Sequence, residues 1–235
     1  MTSTRLGVGV IGAGRVGPIL AHALARAGHT LIGITTPSDE ERERVGSILE
    51  GVNFVDALEI IERSELVVLA LPDSDLARFV EGISRQRAWQ QGQLVLHTSI
   101  QHGLSALDTA RNLGVIPLAL HPLMEFTGTS IDLARLSQSW CVVTAPAVAE
   151  PIASALAVEM GLEPLVVSED NRRHVASAIA LATSFSHTTI QEAASRLKEA
   201  GVINPGVVMH PLVMSSVENA LRLYAGNESE IGGEE

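Results

Sequence analysis

The chain has 235 residues, of which 46% are hydrophobic and 18% are charged, a composition typical of a protein with a well-packed core. Its formal net charge of -11 argues against nucleic acid as a partner, and no apolar run is long enough to cross a membrane. The single cysteine, Cys141, excludes an internal disulfide and favours a reducing compartment, so we expect a cytoplasmic protein.

The first predicted element is an apolar strand, residues 6–11, which runs into the sequence Gly-Ala-Gly-Arg-Val-Gly at 12–17. A helix is predicted over 15–27 and a second strand over 29–35. In this context G-x-G-x-x-G is the fingerprint of dinucleotide binding. Its glycines permit, in order, the tight turn, the approach of backbone to a pyrophosphate, and the packing of helix on strand. We expect the cofactor to bind at Gly12, Ala13, Gly14, Arg15, Val16 and Gly17.

Strands and helices continue to alternate through the first two-thirds of the chain. Further strands are predicted at 53–55, 66–71, 94–97, 116–120, 140–144 and 163–167, and helices at 39–49, 57–63, 75–87, 105–113 and 148–160. Ser38 and Glu41 form a capping-box pattern ahead of the helix that begins at residue 39. Continuous apolar strands between helices predict a doubly wound, mainly parallel α/β sheet, a Rossmann fold, over residues 1–167.

The pattern changes to a smaller α-helical domain, predicted over residues 168–226. Ser168 is expected to cap its first helix and Asn204 its second, and Pro211 is expected to kink or split the second helix. The polar residues 227–235 are predicted to be disordered.

The carboxyl ends of the strands are where an open α/β sheet binds its ligand. After the second strand, Thr36 and Ser38 stand where an acidic residue would favour NAD. Their hydroxyls, with Arg42 or Arg44 nearby, favour the 2′-phosphate of NADP. Asp39 leaves NAD possible, and a plain helix cap is the alternative interpretation of the two hydroxyl residues.

Two later strand ends offer further cofactor contacts. The turn at Leu71, Pro72 and Asp73 is expected to lie along the cofactor, although Asp73 is also placed to cap the following helix. The hydroxyl of Thr98 is a candidate for binding the nicotinamide ribose.

Histidines at two successive strand ends are the candidate proton donors, and a buried structural role is the alternative for each. The only lysine, Lys198, lies away from the strand ends, so His121 is our first choice for a general acid. The second choices are His97, Ser99 and His174. The chain has no H-E-x-x-H motif and no paired cysteines, so we expect no metal site.

Short motifs spread along nearly the whole chain resemble those of one protein family. They are the glycine loop, Leu71-Pro72-Asp73, His97-Thr98-Ser99, His121-Pro122-Leu123 with Phe126, and Arg173-His174-Val175-Ala176. Members of this family are oxidoreductases with a Rossmann-like NADP-binding domain and a helical C-terminal domain. They are related to pyrroline-5-carboxylate reductase and to the 6-phosphogluconate dehydrogenase and ketopantoate reductase group.

The resemblance implies NADP-dependent hydride transfer to or from a small carbonyl or imine substrate, and a homodimer formed through the helical domain. Two positions depart from the family pattern. Ile100 stands where a glycine is usual, and residues 180–183 lack a usual asparagine. The related reductases often use a helical lysine as well, which this segment also lacks. The missing asparagine and lysine leave a non-catalytic dinucleotide-binding sensor or assembly subunit as the alternative function. The glycine fingerprint by itself also fits a flavin- or nucleotide-sugar-binding domain.

Overall fold

The structure, a computed structural model, describes residues 5–36 and 38–225, and within a helix it leaves out the side chains of residues 185 and 186. The tail predicted to be disordered, 227–235, lies outside the described residues.

Seven strands form one sheet in the order β2-β1-β3-β4-β5-β6-β7. They are β1 Gly7–Ile11, β2 Thr30–Ile34, β3 Leu66–Leu69, β4 Leu94–His97, β5 Ile116–Pro122, β6 Trp140–Thr144 and β7 Glu163–Val166. All neighbouring strands run parallel except β5 and β6, which are antiparallel. The mainly parallel doubly wound sheet predicted from the sequence is therefore confirmed.

Helices connect the strands. They are α1 Gly17–Arg26, α2 Asp39–Ile48, α3 Ala57–Arg63, α4 Asp73–Arg85, α5 Asp108–Arg111, α6 Ile131–Leu136, α7 Glu150–Glu159, α8 Arg172–Glu199 and α9 Pro205–Arg222. Short 3₁₀ turns, Leu104–Leu107 and Glu169–Asn171, precede α5 and α8. The turn before α5 replaces the first half of the helix predicted over 105–113, and α6 was not predicted.

The local predictions for caps and for one short strand are confirmed in some cases and wrong in others. Ser38 does cap α2, because its Oγ accepts a hydrogen bond from the Glu41 N–H at 3.2 Å. Asp73 is not a cap, because Pro72 occupies the cap position and Asp73 is already the first helical residue. Ser168 and Asn204 precede their helices without a capping side-chain hydrogen bond. The strand predicted at 53–55 is reduced to a single bridge, which joins Phe54 to Ile34.

The apolar core lies on both faces of the sheet. One face packs against α1, α2, α6 and α7 through residues such as Leu20 and Leu156, and the other packs against α3, α4 and α5 through Ile60 and Val80. Continuous burial of both faces explains the unbroken apolar sequences of β3 and β4. The result is a three-layer α/β/α unit whose strand ends are open to a ligand.

The chain divides into two compact units between Ala176 and Ser177, inside α8. The boundary predicted from the sequence follows residue 167 instead. The first turn of α8 belongs with the sheet because Arg172 and Ala176 are buried there. The second unit contains the rest of α8 and α9, and Pro211 does not split α9, which is one helix from Pro205 to Arg222.

Among the described residues, no helix combines the length and the apolar character needed to cross a bilayer. The same part of the chain holds no group of three or more His, Cys, Asp or Glu side chains arranged to bind a metal ion.

Candidate active site

The glycine loop between β1 and α1 is shaped by two close approaches of backbone to backbone. Gly12 has a φ of +115°, and a Cβ at this position would overlap the carbonyl of Ala70. A Cβ on Gly17 would overlap the carbonyl oxygen of Gly12. The Gly12 N–H also donates to Thr35 Oγ1 at 2.9 Å. Because of these contacts, only glycine fits at positions 12 and 17. The same contacts fix the path of the loop.

Gly14 differs from the other two glycines, because a Cβ there would meet no atom within 4 Å. The space beside it is a cleft of about 880 Å³ at the carboxyl ends of the strands. Of the predicted cofactor residues, the cleft is lined by Gly12, Ala13, Gly14, Arg15, Val16, Thr36, Leu71, Pro72 and Thr98. Gly17, Ser38 and Asp73 are not part of its wall.

One end of the cleft, after β2, carries both signs of charge. Thr36 Oγ1 lies 3.0 Å from the carbonyl oxygen of Ser38 and 3.5 Å from Glu41 Oε2, and Ser38 Oγ donates to the same carboxylate oxygen at 3.2 Å. The Arg42 guanidinium lies 5.0 Å from the centre of the Phe54 ring, and both residues line the cleft. In the sequence Glu41 is a capping-box residue, and nothing there indicates that its carboxylate lies in this wall.

Arg44 braces the glycine loop. Its Nη2 donates to the Ala13 carbonyl at 2.6 Å and lies 3.8 Å from the Glu41 carboxylate, while its Nε is buried without a hydrogen-bond partner. Arg44 thereby connects α2 to the glycine loop. The role predicted for it was a different one, to approach a 2′-phosphate.

His121 lies beside the opposite end of the cleft. Its Nδ1 is 2.7 Å from the carbonyl oxygen of Thr98, so Nδ1–H donates this bond and Nε2 is the acceptor nitrogen of the neutral ring. Burial lowers the pKa of His121, and the charge of Arg172 acts in the same direction. The hydrogen bond to Thr98 and the charge of Asp73 oppose this shift. The ring is therefore predominantly neutral at pH 7, with an acceptor nitrogen available.

His97 has a different environment, although it looks equivalent in the sequence. It is 0% exposed, its Nε2 lies 3.0 Å from the Gly103 carbonyl oxygen, and its Nδ1 has no partner. Burial, reinforced by Arg172, lowers the pKa of His97 to about 3. An imidazole that stays neutral over the working range cannot supply a proton as a general acid, so these contacts favour a structural role.

The register of the sheet explains how these groups meet. His97, Ala119 and Thr144 are aligned side by side across β4, β5 and β6. His121 is two residues beyond Ala119 and projects from the same face. The buried Arg172 bonds to Thr144 Oγ1 at 3.0 Å and so joins this row.

Of the two remaining candidates, Ser99 is buried near these strand ends and His174 is exposed to solvent. Ser99 is buried, and its Oγ accepts a hydrogen bond from the His102 N–H at 3.1 Å. His102 Nε2 in turn lies 3.0 Å from the Asp73 carbonyl oxygen. His174 is exposed, and no described hydrogen bond or ion pair joins it to the other histidines. His102 and Arg172 were both missed from the sequence.

Comparison with known families now identifies the fold. Residues 1–122, more than half of the chain, match the family described as the Rossmann-like domain. The chain belongs to this family. Residues 139–228 of the Rossmann-like protein match a second family, a domain of unknown function designated DUF2520. No curated protein matches the sequence.

Solved structures share this Rossmann-like architecture over most of their length. A Bacteroides fragilis protein provisionally named an NADP oxidoreductase is 20% identical, with a TM-score of 0.75 over 95% of this chain and 82% of its own. An imine reductase from Pseudomonas sp. is 18% identical, with a TM-score of 0.69 over 94% and 77%. A pyrroline-5-carboxylate reductase from Coxiella burnetii is 15% identical, with a TM-score of 0.64 over 93% and 81%. At these identities the likeness is one of fold.

Proposed function

We propose that this protein is a nicotinamide-dinucleotide-dependent oxidoreductase that acts on a small carbonyl or imine compound. The observation that carries the proposal is the double role of Thr98. It lines the cleft beside the glycine loop, and its carbonyl orients His121. The names of the three structural neighbours, an NADP oxidoreductase, an imine reductase and a pyrroline-5-carboxylate reductase, support the same class of chemistry.

The residues present fit such a cofactor. Open space beside Gly14 allows the backbone to approach a pyrophosphate, and the first turn of α1 follows directly, where helix N–H groups favour phosphate. Leu71, Pro72 and Thr98 would flank the nicotinamide end of the cleft. A nicotinamide cofactor, when bound, supplies or accepts the hydride.

Proton transfer is the part of the reaction that we assign to His121. Its Nδ1–H is committed to Thr98, so Nε2 receives the proton from a substrate hydroxyl or amine as hydride leaves the substrate carbon. In the reverse direction the protonated ring returns that proton. Because burial lowers the pKa of His121, the neutral form prevails at pH 7 and favours the role of base.

For the cofactor we favour NADP, on the strength of Arg42 beside the two hydroxyl residues Thr36 and Ser38. One observation favours NAD instead. The carboxylate of Glu41 lies within hydrogen-bond distance of both hydroxyls, where it would repel a 2′-phosphate and accept a bond from a free 2′-OH. Titration of the protein with each reduced cofactor, followed by fluorescence, decides between them.

The convergence of His121, His102, Thr98 and Asp73 at the strand ends favours an enzyme over the alternative of a non-catalytic sensor or assembly subunit. The test is reduced-cofactor oxidation with a panel of oxo acids and cyclic imines. His121→Gln should abolish turnover and keep cofactor affinity, whereas Gln138→Ala, at an exposed position outside the cleft, should change neither. Tight cofactor binding without turnover of any compound would support the alternative.

We further propose that the second unit pairs with a second copy of the chain. Its two helices leave large apolar side chains in solvent, among them Leu181 at 70%, Val207 at 75% and Leu212 at 72% exposure. So many large apolar side chains in solvent are unusual on a monomer, and two-fold pairing is the commonest symmetry of soluble homo-oligomers. Light scattering at micromolar concentration should give the mass of a dimer, and Leu212→Glu should shift it toward the monomer. A monomer mass for the unaltered protein would overturn this proposal.

A further inference from the structure

Arg172 is a buried cation whose hydrogen bonds all go to neutral groups. It is 2% exposed, and its guanidinium donates to the His102 carbonyl through Nε at 2.7 Å, to Thr144 Oγ1 through Nη1 at 3.0 Å and to the Ser99 carbonyl through Nη2 at 2.6 Å. Burial lowers the pKa of Arg172. An arginine at the start of a helix usually remains in solvent, because burying its charge costs free energy. The burial of Arg172 therefore calls for an explanation.

Arg172 holds residues 98–102, the segment that follows β4 directly. Two of its carbonyls bond to the guanidinium, and Ser99 Oγ accepts the His102 N–H and so closes the turn from within. Just beyond it, the Leu104 N–H donates to the Glu169 carboxylate at 3.0 Å. This segment is thus anchored by Arg172, at the start of α8, and just beyond its end by Glu169, in the 3₁₀ turn before α8.

The same segment orients the proposed proton acceptor. Thr98, whose carbonyl receives the Nδ1–H of His121, immediately precedes Ser99, whose carbonyl receives Nη2 of Arg172. The two carbonyls belong to adjacent peptide units, so a displacement of the Ser99 carbonyl would be passed to the Thr98 carbonyl that orients the imidazole. Thr144, the third contact of Arg172, lies in the same cross-strand row as His97 and Ala119, so the guanidinium is fixed relative to the sheet as well.

We propose that Arg172 is a positioning residue for His121: it holds the segment that orients the imidazole and places a permanent positive charge near the ring. This inference rests on the proposed function of His121 as proton acceptor. It assigns to Arg172 an action through Thr98 and through space, without contact with the substrate.

The charges around His121 set the direction of the effect. From α8 the Arg172 cation lowers the pKa of His121, and from α4 the Asp73 carboxylate raises it. From β4 comes His97, which is neutral because its pKa is about 3, and from β6 comes Cys141, a neutral thiol whose pKa burial raises to about 12. Removal of the guanidinium leaves Asp73 as the charged group, so the pKa of His121 should rise.

Two variants of the full chain separate geometry from charge, with Arg173→Met as the matched control in the same helical turn, where the side chain is exposed. Arg172→Met should raise the pKa of His121, read from its ring resonances by NMR, and should move the pH profile of turnover in the same direction. Arg172→Lys keeps the charge, but its ammonium cannot reproduce the planar arrangement of donors, so it should leave this pKa close to that of the unaltered protein. It should lower kcat more than it raises KM and speed exchange of the His121 Nδ1–H.

Failure of the Arg172 proposal and failure of the proposed function give different results, because the NMR titration and the Nδ1–H exchange need no turnover. If the unaltered protein turns over no compound, the proposed function is contradicted, but these two measurements can still be made. The inference is overturned if Arg172→Met leaves the His121 titration where Arg173→Met leaves it. If Arg172→Met does not fold, unchanged Nδ1–H exchange and unchanged kcat in Arg172→Lys overturn it instead.

Discussion

Replacing Gly14 with valine should weaken cofactor binding strongly without destabilising the fold. A Cβ on Gly14 meets no protein atom within 4 Å, and the backbone there is not in the left-handed region. The free energy of unfolding should therefore change by no more than about 0.5 kcal/mol, as at other unconstrained surface positions. Thermal and urea unfolding curves of Gly14→Val should overlay those of the unaltered protein.

The effect on binding follows from where the new side chain lies. The isopropyl group would occupy the part of the cleft beside the loop that a pyrophosphate needs in order to reach the backbone N–H groups. Hydrogen bonds to a charged group contribute about 1.5–3 kcal/mol each, so the loss of two corresponds to about 3–6 kcal/mol. This energy is a loss of affinity of roughly a hundredfold to ten-thousandfold.

Calorimetric titration with NADPH and NADH measures this loss, and two other glycines serve as references. Gly46→Val, on α2, also adds a side chain to open space but lies outside the cleft, so it should bind as the unaltered protein does. Gly17→Ala should lose stability as well as binding, because its Cβ would overlap the Gly12 carbonyl. Unchanged affinity for both cofactors in Gly14→Val would refute the placement of the phosphate site.

Three further predictions concern individual side chains. Glu41→Gln should raise affinity for NADP relative to NAD about fivefold, because loss of one negative charge near the 2′ position is equivalent to about 1 kcal/mol; an unchanged ratio in competitive titrations would remove Glu41 from that position. Because burial lowers the pKa of His97 to about 3 from its ordinary 6.5, its contribution to stability is complete above pH 6.5. It should decline by up to about 1.4 kcal/mol per pH unit between pH 6.5 and 3. Urea denaturation at pH 5 and 7 should show a smaller pH dependence for His97→Gln. The Cys141 thiol, buried and with its pKa raised to about 12, should resist thiol reagents at pH 8 until urea unfolds the chain, and rapid native labelling would contradict its burial.

Much of the fold could be predicted because its signals are local. β4 and β6 have the bounds expected from their apolar runs, 94–97 and 140–144, since strands buried on both faces carry uninterrupted apolar sequence. The glycine loop was predictable because a φ of +115° and two backbone overlaps restrict positions 12 and 17 to glycine. The six-residue helix α6 has no comparable signal, because it is too short for a helical periodicity to stand out.

The site was predicted less completely, because its assembly depends on contacts far apart in the sequence. Arg172 meets partners 28, 70 and 73 residues away, and nothing in the first turn of α8 indicates that its side chain is buried. His97 and His121 both lie at strand ends, yet one is fully buried and the other is half-buried with a free acceptor nitrogen. Only the pairing register and the packing around each ring distinguish them.

The antiparallel pairing of β5 with β6 has a consequence for how this protein can be divided. The two family matches end and begin at 122 and 139, so the junction between them falls in the connection between these strands. The hydrogen-bonded ladder crosses that junction, with Ala119 opposite Thr144 and Pro122 opposite Cys141. In a fragment cut at residue 122, the edge of β5 that faces β6 would be unpaired, and the buried β5 residues Leu118 and Leu120 would lose part of their cover. Such an edge is a template for aggregation. The sheet therefore folds as a unit that includes parts of both matched segments, and expression of either segment alone should yield insoluble material.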